Sequence, residues 1–215
     1  MNQLSEPDAI RALLTTPADY VRWGATAFEK AGLSFGHGLD NALDEAFYLV
    51  THVLSLPHEL PPVYMQATLL PEERAQVHEL LERRIRTRKP AAYLIGEARF
   101  CGLDFEVDER VLVPRSPIGE MIEQAFAPWL PQTPESILDL CTGSGCIAVA
   151  CACAFPDADV DAADIDDGAI EILRRNLKRH GLEDRIVVRH GDLFAPVGNA
   201  RYDLIVSNPP YVPTG

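Results

Sequence analysis

Asn208-Pro209-Pro210-Tyr211 follows the apolar run YDLIV after a single serine, an unusual way to leave a strand. Pro209 and Pro210 have no backbone N–H and hold φ near about −65°. The segment therefore offers acceptors and no proline donors. The side-chain carbonyl of Asn208 and the backbone carbonyl of Pro209 can both accept from one –NH₂ group, and Tyr211 can lie flat against a planar amide or base. Such a set holds a planar amine and aims its nitrogen lone pair. No residue in it is a strong base, so the partner must be an electrophile that is already activated. A sulfonium methyl group meets that requirement.

Three further stretches carry matching chemistry. In LDLCTGSGCIA, Leu138 to Ala148, a strand runs into a glycine turn that opens a helix. Gly143 and Gly145 permit the tight turn and a close approach of a ligand to the backbone. The third glycine of the dinucleotide fingerprint is missing. Asp139, just ahead of the turn, would repel a pyrophosphate and attract a cationic ligand. In DAADID, Asp164 ends the next strand about 20 residues on, the spacing at which an acid takes a ribose hydroxyl pair. Asp166 reads as the cap of the following helix. In HGDLF, Asp192 can accept from the exocyclic amine of an adenine while Leu193 covers its ring.

The elements that must position these residues are legible from periodicity. Strands are expected at SILDL, DVDAAD, IVVRH and YDLIVS, with helices at GCIAVACACAF and DGAIEILRRNLKRHG. This alternation means βαβ units and a parallel sheet, with right-handed crossovers placing helices on both faces. Residues 1–90 instead read as an amphipathic helical bundle. One helix runs from Pro17 through Val21, Ala25 and Phe28 to Gly32. A second has Asp40 as its cap and a stripe of Leu43, Phe47, Val50 and Leu54. A third starts at Pro71, buries Val77, Leu80, Leu81 and Ile85, and ends in the basic run RRIRTRK, read as a solvated face. His37, between glycines, reads as a loop residue. Residues 91–115 form a β-hairpin connector, and 116–215 begin with a helix through Leu130 capped by Ser116.

Composition narrows the function. The net charge of −13 argues against a dedicated nucleic-acid binder and suits a basic protein partner. There is no run of 18 apolar residues and no basic, apolar leader, which points to a cytoplasmic protein. Cys141, Cys146, Cys151 and Cys153 lack the spacing of zinc knuckles. Cys146, Cys151 and Cys153 read as small buried hydrophobes on a helix, so no metal is expected.

LDLCTGSG, AADID and NPPY, in this order and at these spacings, resemble a class I S-adenosylmethionine-dependent methyltransferase. NPPY is similar to the motif of enzymes that methylate planar nitrogen, on adenine or on protein glutamine. The layout of helical bundle, the hairpin FCGLDFEVDERVLVPR and then the core resembles the protein-glutamine methyltransferase family over nearly the whole chain. RSPIGE, Arg115 to Glu120, and Cys141 in place of the usual first glycine resemble the branch acting on large-ribosomal-subunit protein three. The resemblance implies an α/β, Rossmann-like core of which about four parallel strands are present, against seven in the full class I sheet. That would leave YDLIVS as an exposed apolar edge. It implies that the cofactor lies along Cys141, Thr142, Gly143, Ser144 and Gly145, with Asp164 on the ribose and Leu193 beside the adenine. A cysteine at 141 is compatible with binding if its φ stays below zero. Asn208, Pro209, Pro210 and Tyr211 would hold the substrate glutamine, with the helical bundle recognising the protein substrate. The alternatives are an adenine-amine methyltransferase acting on DNA or RNA, a release-factor glutamine methyltransferase, and a non-catalytic cofactor-binding scaffold.

Overall fold

A computed structural model describes residues 13–36, 38–57 and 60–210. His37 and Tyr211, both singled out above, lie outside the described residues. The chain divides into two compact units, Met1–Ile95 and Gly96–Gly215.

The first unit is helical. α1, Pro17–Lys30, starts with a capping box: the Thr16 hydroxyl accepts from Asp19 N–H at 3.2 Å, and the Asp19 carboxylate accepts from Thr16 N–H at 2.9 Å. It buries Tyr20, Val21 and Phe28. α2, Ala42–Val53, is capped by Asn41, not Asp40: the Asn41 side chain accepts from Asp44 N–H at 2.9 Å. The inward stripe is also rotated from expectation. Leu43 is 56% exposed, while Ala42, Ala46, Leu49 and Val50 are buried. The face that turns inward is the one carrying Glu45, because Glu45 meets Arg84 of α3, Pro71–Thr87.

This pair corrects the reading of RRIRTRK as a wholly solvated face. Arg84 is 1% exposed and Glu45 4%. The Arg84 Nε and Nη2 atoms each lie 3.1 Å from a Glu45 oxygen, and Nη2 also donates to Ser34 O at 3.1 Å. Glu45 further accepts from Ala91 N–H at 2.9 Å. Ala91 opens α4, Ala91–Ile95, the last helix of the unit.

The second unit begins with an antiparallel hairpin, β1 Glu97–Phe100 and β2 Leu103–Glu106. Cys101 and Gly102, at φ 47° and 75°, make its turn. α5 covers only Ile118–Glu123, with the Ser116 hydroxyl accepting from Ile118 N–H at 3.2 Å. The expected helix through Leu130 stops early. Ala125 and Phe126 turn left-handed, at φ 50° and 56°, and this places Phe126 in the core near Phe155. Tertiary burial of one aromatic outweighs the continuing helical pattern.

The sheet is parallel, in the order β5-β4-β3-β6, formed by β3 Ser136–Leu140, β4 Asp159–Asp164, β5 Ile186–His190 and β6 Leu204–Ser207. β6 starts two residues later than its apolar pattern, because Tyr202 and Asp203 are taken by side-chain bonds. Tyr202 donates to Asp161 at 2.6 Å, and the Asp203 carboxylate accepts from the N–H groups of Glu135 and Ser136 at 3.0 Å. Among the described residues β6 pairs only with β3, and Ile205 on it is half exposed.

α6, Cys146–Ala154, and α7, Asp167–His180, pack on one face of the sheet against Ile137, Val160, Ala162 and Ile186. The other face, with Leu138, Leu140 and Ala163, is covered by Val197 and Tyr202 from the β5–β6 connection. Helices on both faces are therefore not what is seen among the described residues. The reason is topological. β3, β4 and β5 step outward in one direction, so two right-handed crossovers lay both helices on the same side. Only the return to β6 uses the opposite face, and its regular structure there is a single 3₁₀ turn, Ala195–Val197. Cys146 and Cys151 are buried as expected, and burial pushes the Cys146 thiol up to about 12. Cys153 is exposed, a correction to its reading as a core residue.

Candidate active site

Parallel pairing brings the carboxyl ends of all four strands to one edge of the sheet, the edge where open α/β folds bind ligands. β3 delivers the glycine turn, β4 Asp164, β5 Asp192 and Leu193, and β6 Asn208. In the β3–β6 register Leu140 faces Ser207, so Asn208 comes level with Cys141 at the start of the turn. The Ser207 hydroxyl donates to Leu140 O at 2.7 Å and fixes that alignment.

The turn itself is held from several sides. Thr142 N–H donates to Ala163 O at 3.0 Å, and Gly143 N–H donates to an Asp164 carboxylate oxygen at 2.9 Å. The other Asp164 oxygen accepts from Asp166 N–H at 3.0 Å, and Gly191 N–H holds the Asp164 carbonyl at 2.9 Å. Asp166 caps α7, accepting from Ala169 N–H at 2.8 Å, as its position in the sequence predicts. Each Asp164 oxygen retains a lone pair for a further donor.

Two glycines are required for different reasons. Gly143 has φ 56°, and a Cβ added there would meet nothing within 4 Å, so the space above the turn is open. Gly145 has φ 81°, and a Cβ there would lie 2.3 Å from the Leu173 Cδ1 atom. That glycine is the contact between turn and α7. Cys141 has φ 60°, so the condition that this residue keep φ below zero is not met. A cysteine occupies a left-handed position at a cost of about 1–2 kcal/mol, held by the two strand ends on either side of it. Its thiol is pushed up by partial burial and then by Asp164.

Asp139 departs most from expectation. It is not an acid facing a ligand but is fully buried beneath the turn. One of its oxygens accepts from the Thr142 hydroxyl and, at 3.0 Å, from Ala148 N–H in the first turn of α6. Gly145 offers no side chain to cap that helix, so the strand supplies the cap. The remaining oxygen, Oδ1, is buried without a hydrogen-bond partner. Burial pushes the Asp139 carboxyl from 3.8 up to about 7, against the two hydrogen bonds, with Asp164 adding to the rise. The folded chain then keeps a proton that the unfolded chain has released, so stability declines as pH rises from about 4 to about 7. The decline amounts to on the order of 3 kcal/mol. Asp139→Asn should remove it, and urea midpoints of both chains at pH 4 and 7 test this. Equal pH slopes would show a carboxyl that titrates normally.

Asp192 and Leu193 stand exposed at the end of β5, with Leu193 at φ 44°. Asn208 is half buried, and Pro209 and Pro210 are exposed beyond it. Sequence reasoning missed two positions, Leu173 and Asn176. The signal for Asn176 was present: an amide on the apolar stripe of α7, beside Leu173 and Leu177, flags a buried polar group.

Comparison with known proteins decides the family. Residues 123–214 match the methyltransferase small domain, and residues 19–96 match the PrmC N-terminal domain. A ribosomal protein uL3 glutamine methyltransferase of Bordetella pertussis is 48% identical over 94% of this chain and 68% of its own length. One from Xanthomonas campestris is 52% identical over 93% of this chain and 65% of its own length, and one from Burkholderia pseudomallei 46% identical over 93% and 68%. This chain belongs to the ribosomal protein uL3 glutamine methyltransferase family. It spans about two thirds of the length of these relatives. The resemblance read from LDLCTGSG, AADID and NPPY is thereby borne out, as is the α/β methyltransferase fold.

The methyl donor of this family member is S-adenosylmethionine. The residues present fit it. Open space lies above Gly143, a carboxylate with spare lone pairs ends β4, and Ile165 and Leu193 expose apolar side chains at the same sheet edge. Among the described residues no helix is long and apolar enough to cross a membrane.

Proposed function

We propose that this chain transfers a methyl group from S-adenosylmethionine to the side-chain amide nitrogen of a glutamine in ribosomal protein uL3. The observation that carries the reading is the β3–β6 register, which sets Asn208 level with the first residue of the glycine turn. In this reading Cys141 to Gly145 hold the methionyl part of the cofactor, Asp164 takes the ribose hydroxyls, and Asp192 and Leu193 flank the adenine. S-adenosylmethionine supplies an electrophilic methyl group.

The chain's own residues supply position and polarity. The Asn208 side-chain carbonyl and the Pro209 carbonyl accept the two amide hydrogens of the substrate glutamine. Tyr211, outside the described residues, is assigned by its place in the motif to the flat face of the amide. An amide nitrogen is a poor nucleophile because its lone pair is delocalised into the carbonyl. Two acceptors pulling on the N–H bonds return density to nitrogen as the N–CH₃ bond forms and the S–CH₃ bond breaks to leave S-adenosylhomocysteine, and the surplus N–H proton then passes to water. No residue of this set is a strong base, so catalysis is mainly orientation. The net charge of −13 favours a basic ribosomal protein over nucleic acid as the substrate.

Methyl transfer from labelled S-adenosylmethionine onto uL3 and onto an oligonucleotide, side by side, tests the function. Label on the oligonucleotide alone would reject it. Asp164→Ala should weaken S-adenosylmethionine binding by about 1–3 kcal/mol, the cost of leaving polar ribose contacts unmade. Calorimetry showing unchanged affinity would remove Asp164 from the site. The helical unit, which carries none of the cofactor motifs, is assigned to recognition of the protein substrate. A chain without residues 1–95 that methylated uL3 at the original efficiency would refute that role.

A further inference from the structure

Asn176 has no exposed surface, yet it stands on a helix face whose neighbours are Leu173 and Leu177. Its side chain makes three bonds. Oδ1 accepts from Glu106 N–H at 2.7 Å, while Nδ2 donates to Glu106 O at 3.0 Å and to Ser144 O at 2.8 Å. Glu106 is the last residue of β2 in the hairpin, and Ser144 lies within the glycine turn. One buried amide thus grips the end of the hairpin by both its backbone groups and the turn by a carbonyl.

The surroundings reinforce this geometry. Next to Ser144, Gly145 lies against Leu173, one helical turn before Asn176. Beyond Asn176, Arg179 pairs with Glu97 of β1, and the His180 ring nitrogen lies 3.1 Å from Asp104 O in β2. The last two turns of α7 therefore clamp the hairpin along its length, and Asn176 is where that clamp reaches the turn. Holding Ser144 O fixes the 144–145 peptide plane, whose N–H donates to Thr142 O at 2.9 Å and closes the turn. In a buried setting an unmade bond at any of these three atoms is costly, so the two elements move together or not at all.

We propose that Asn176 is a positioning residue that couples the cofactor turn to the β1–β2 hairpin. S-adenosylmethionine binding stiffens the hairpin, and the hairpin's attachment sets cofactor affinity. Linkage requires the effect to be reciprocal. The inference rests on reading Cys141 to Gly145 as the cofactor turn.

Asn176→Asp keeps the size but turns an oxygen toward Glu106 O and Ser144 O. It should raise both the S-adenosylmethionine Kd and its KM by roughly 10- to 100-fold, within the usual range of coupling between sites, with kcat within about threefold. Leu177→Ala is the control, because it weakens the same helix in the core while leaving all three Asn176 hydrogen bonds their partners. It should leave Kd and KM within about threefold at a comparable loss of stability. Equal losses of affinity in the two variants would mean that Asn176 is only a core residue, overturning the proposal. Should Asn176→Asp fail to fold, the wild-type chain decides. The Glu106 amide is itself bonded to Asn176, so saturating S-adenosylmethionine should slow its hydrogen exchange at least about tenfold. Cofactor binding with unchanged Glu106 exchange overturns the coupling alone. A wild-type chain that binds no S-adenosylmethionine overturns the cofactor reading and the coupling with it.

Discussion

Asn208→Ala is expected to lower methyl transfer to uL3 by roughly 10²–10³, the usual loss on removing one preorganised partner of a transition state. Cofactor affinity should stay within a few fold, because Asn208 follows β6 and the proposed cofactor contacts come from β3, β4 and β5. Among Asn208, Pro209 and Pro210 only Asn208 offers a side-chain acceptor; the prolines contribute backbone carbonyls alone. Asn208→Asp is the sharper variant. A carboxylate still accepts the amide hydrogens, so activity should fall less than with alanine. Initial rates with labelled S-adenosylmethionine and uL3, alongside calorimetric cofactor affinities, separate the two effects. An alanine variant that turned over at the wild-type rate would reduce Asn208-Pro209-Pro210 to a strand-ending turn.

Glu45→Ala should cost about 3–5 kcal/mol, because it leaves the buried Arg84 guanidinium and the Ala91 N–H without their carboxylate. Against a typical total stability of about 5–15 kcal/mol, that is enough to melt the helical unit under mild denaturant. The lesson lies in the contrast with the double change. Glu45→Leu combined with Arg84→Met removes both charges together and should be close to neutral, since desolvation of the pair offsets most of its attraction. Urea titrations followed by helical circular dichroism measure both. A Glu45→Ala midpoint equal to wild type would mean that water reaches Arg84 and the pair is an ordinary surface bridge.

The local elements, and the order of chemistry along them, are legible in short stretches of the chain. The strands of the parallel sheet, the cap at Asp166 and the placement of Gly143, Asp164, Asp192 and Asn208 at strand ends follow from periodicity and turn chemistry. These are properties of a few consecutive residues. The face on which each helix packs was settled by the order β5-β4-β3-β6, which periodicity does not encode. Tertiary structure also decided which polar residues go inside. Arg84, Glu45 and Asn176 are of types found mostly at the surface, and each is buried because a partner far along the chain completes it. Asn176 finds Glu106 across 70 residues of chain, and Arg84 finds Glu45 across 39. Desolvation penalises such a group until the partner arrives, so its burial is a property of the assembled fold and of no segment alone.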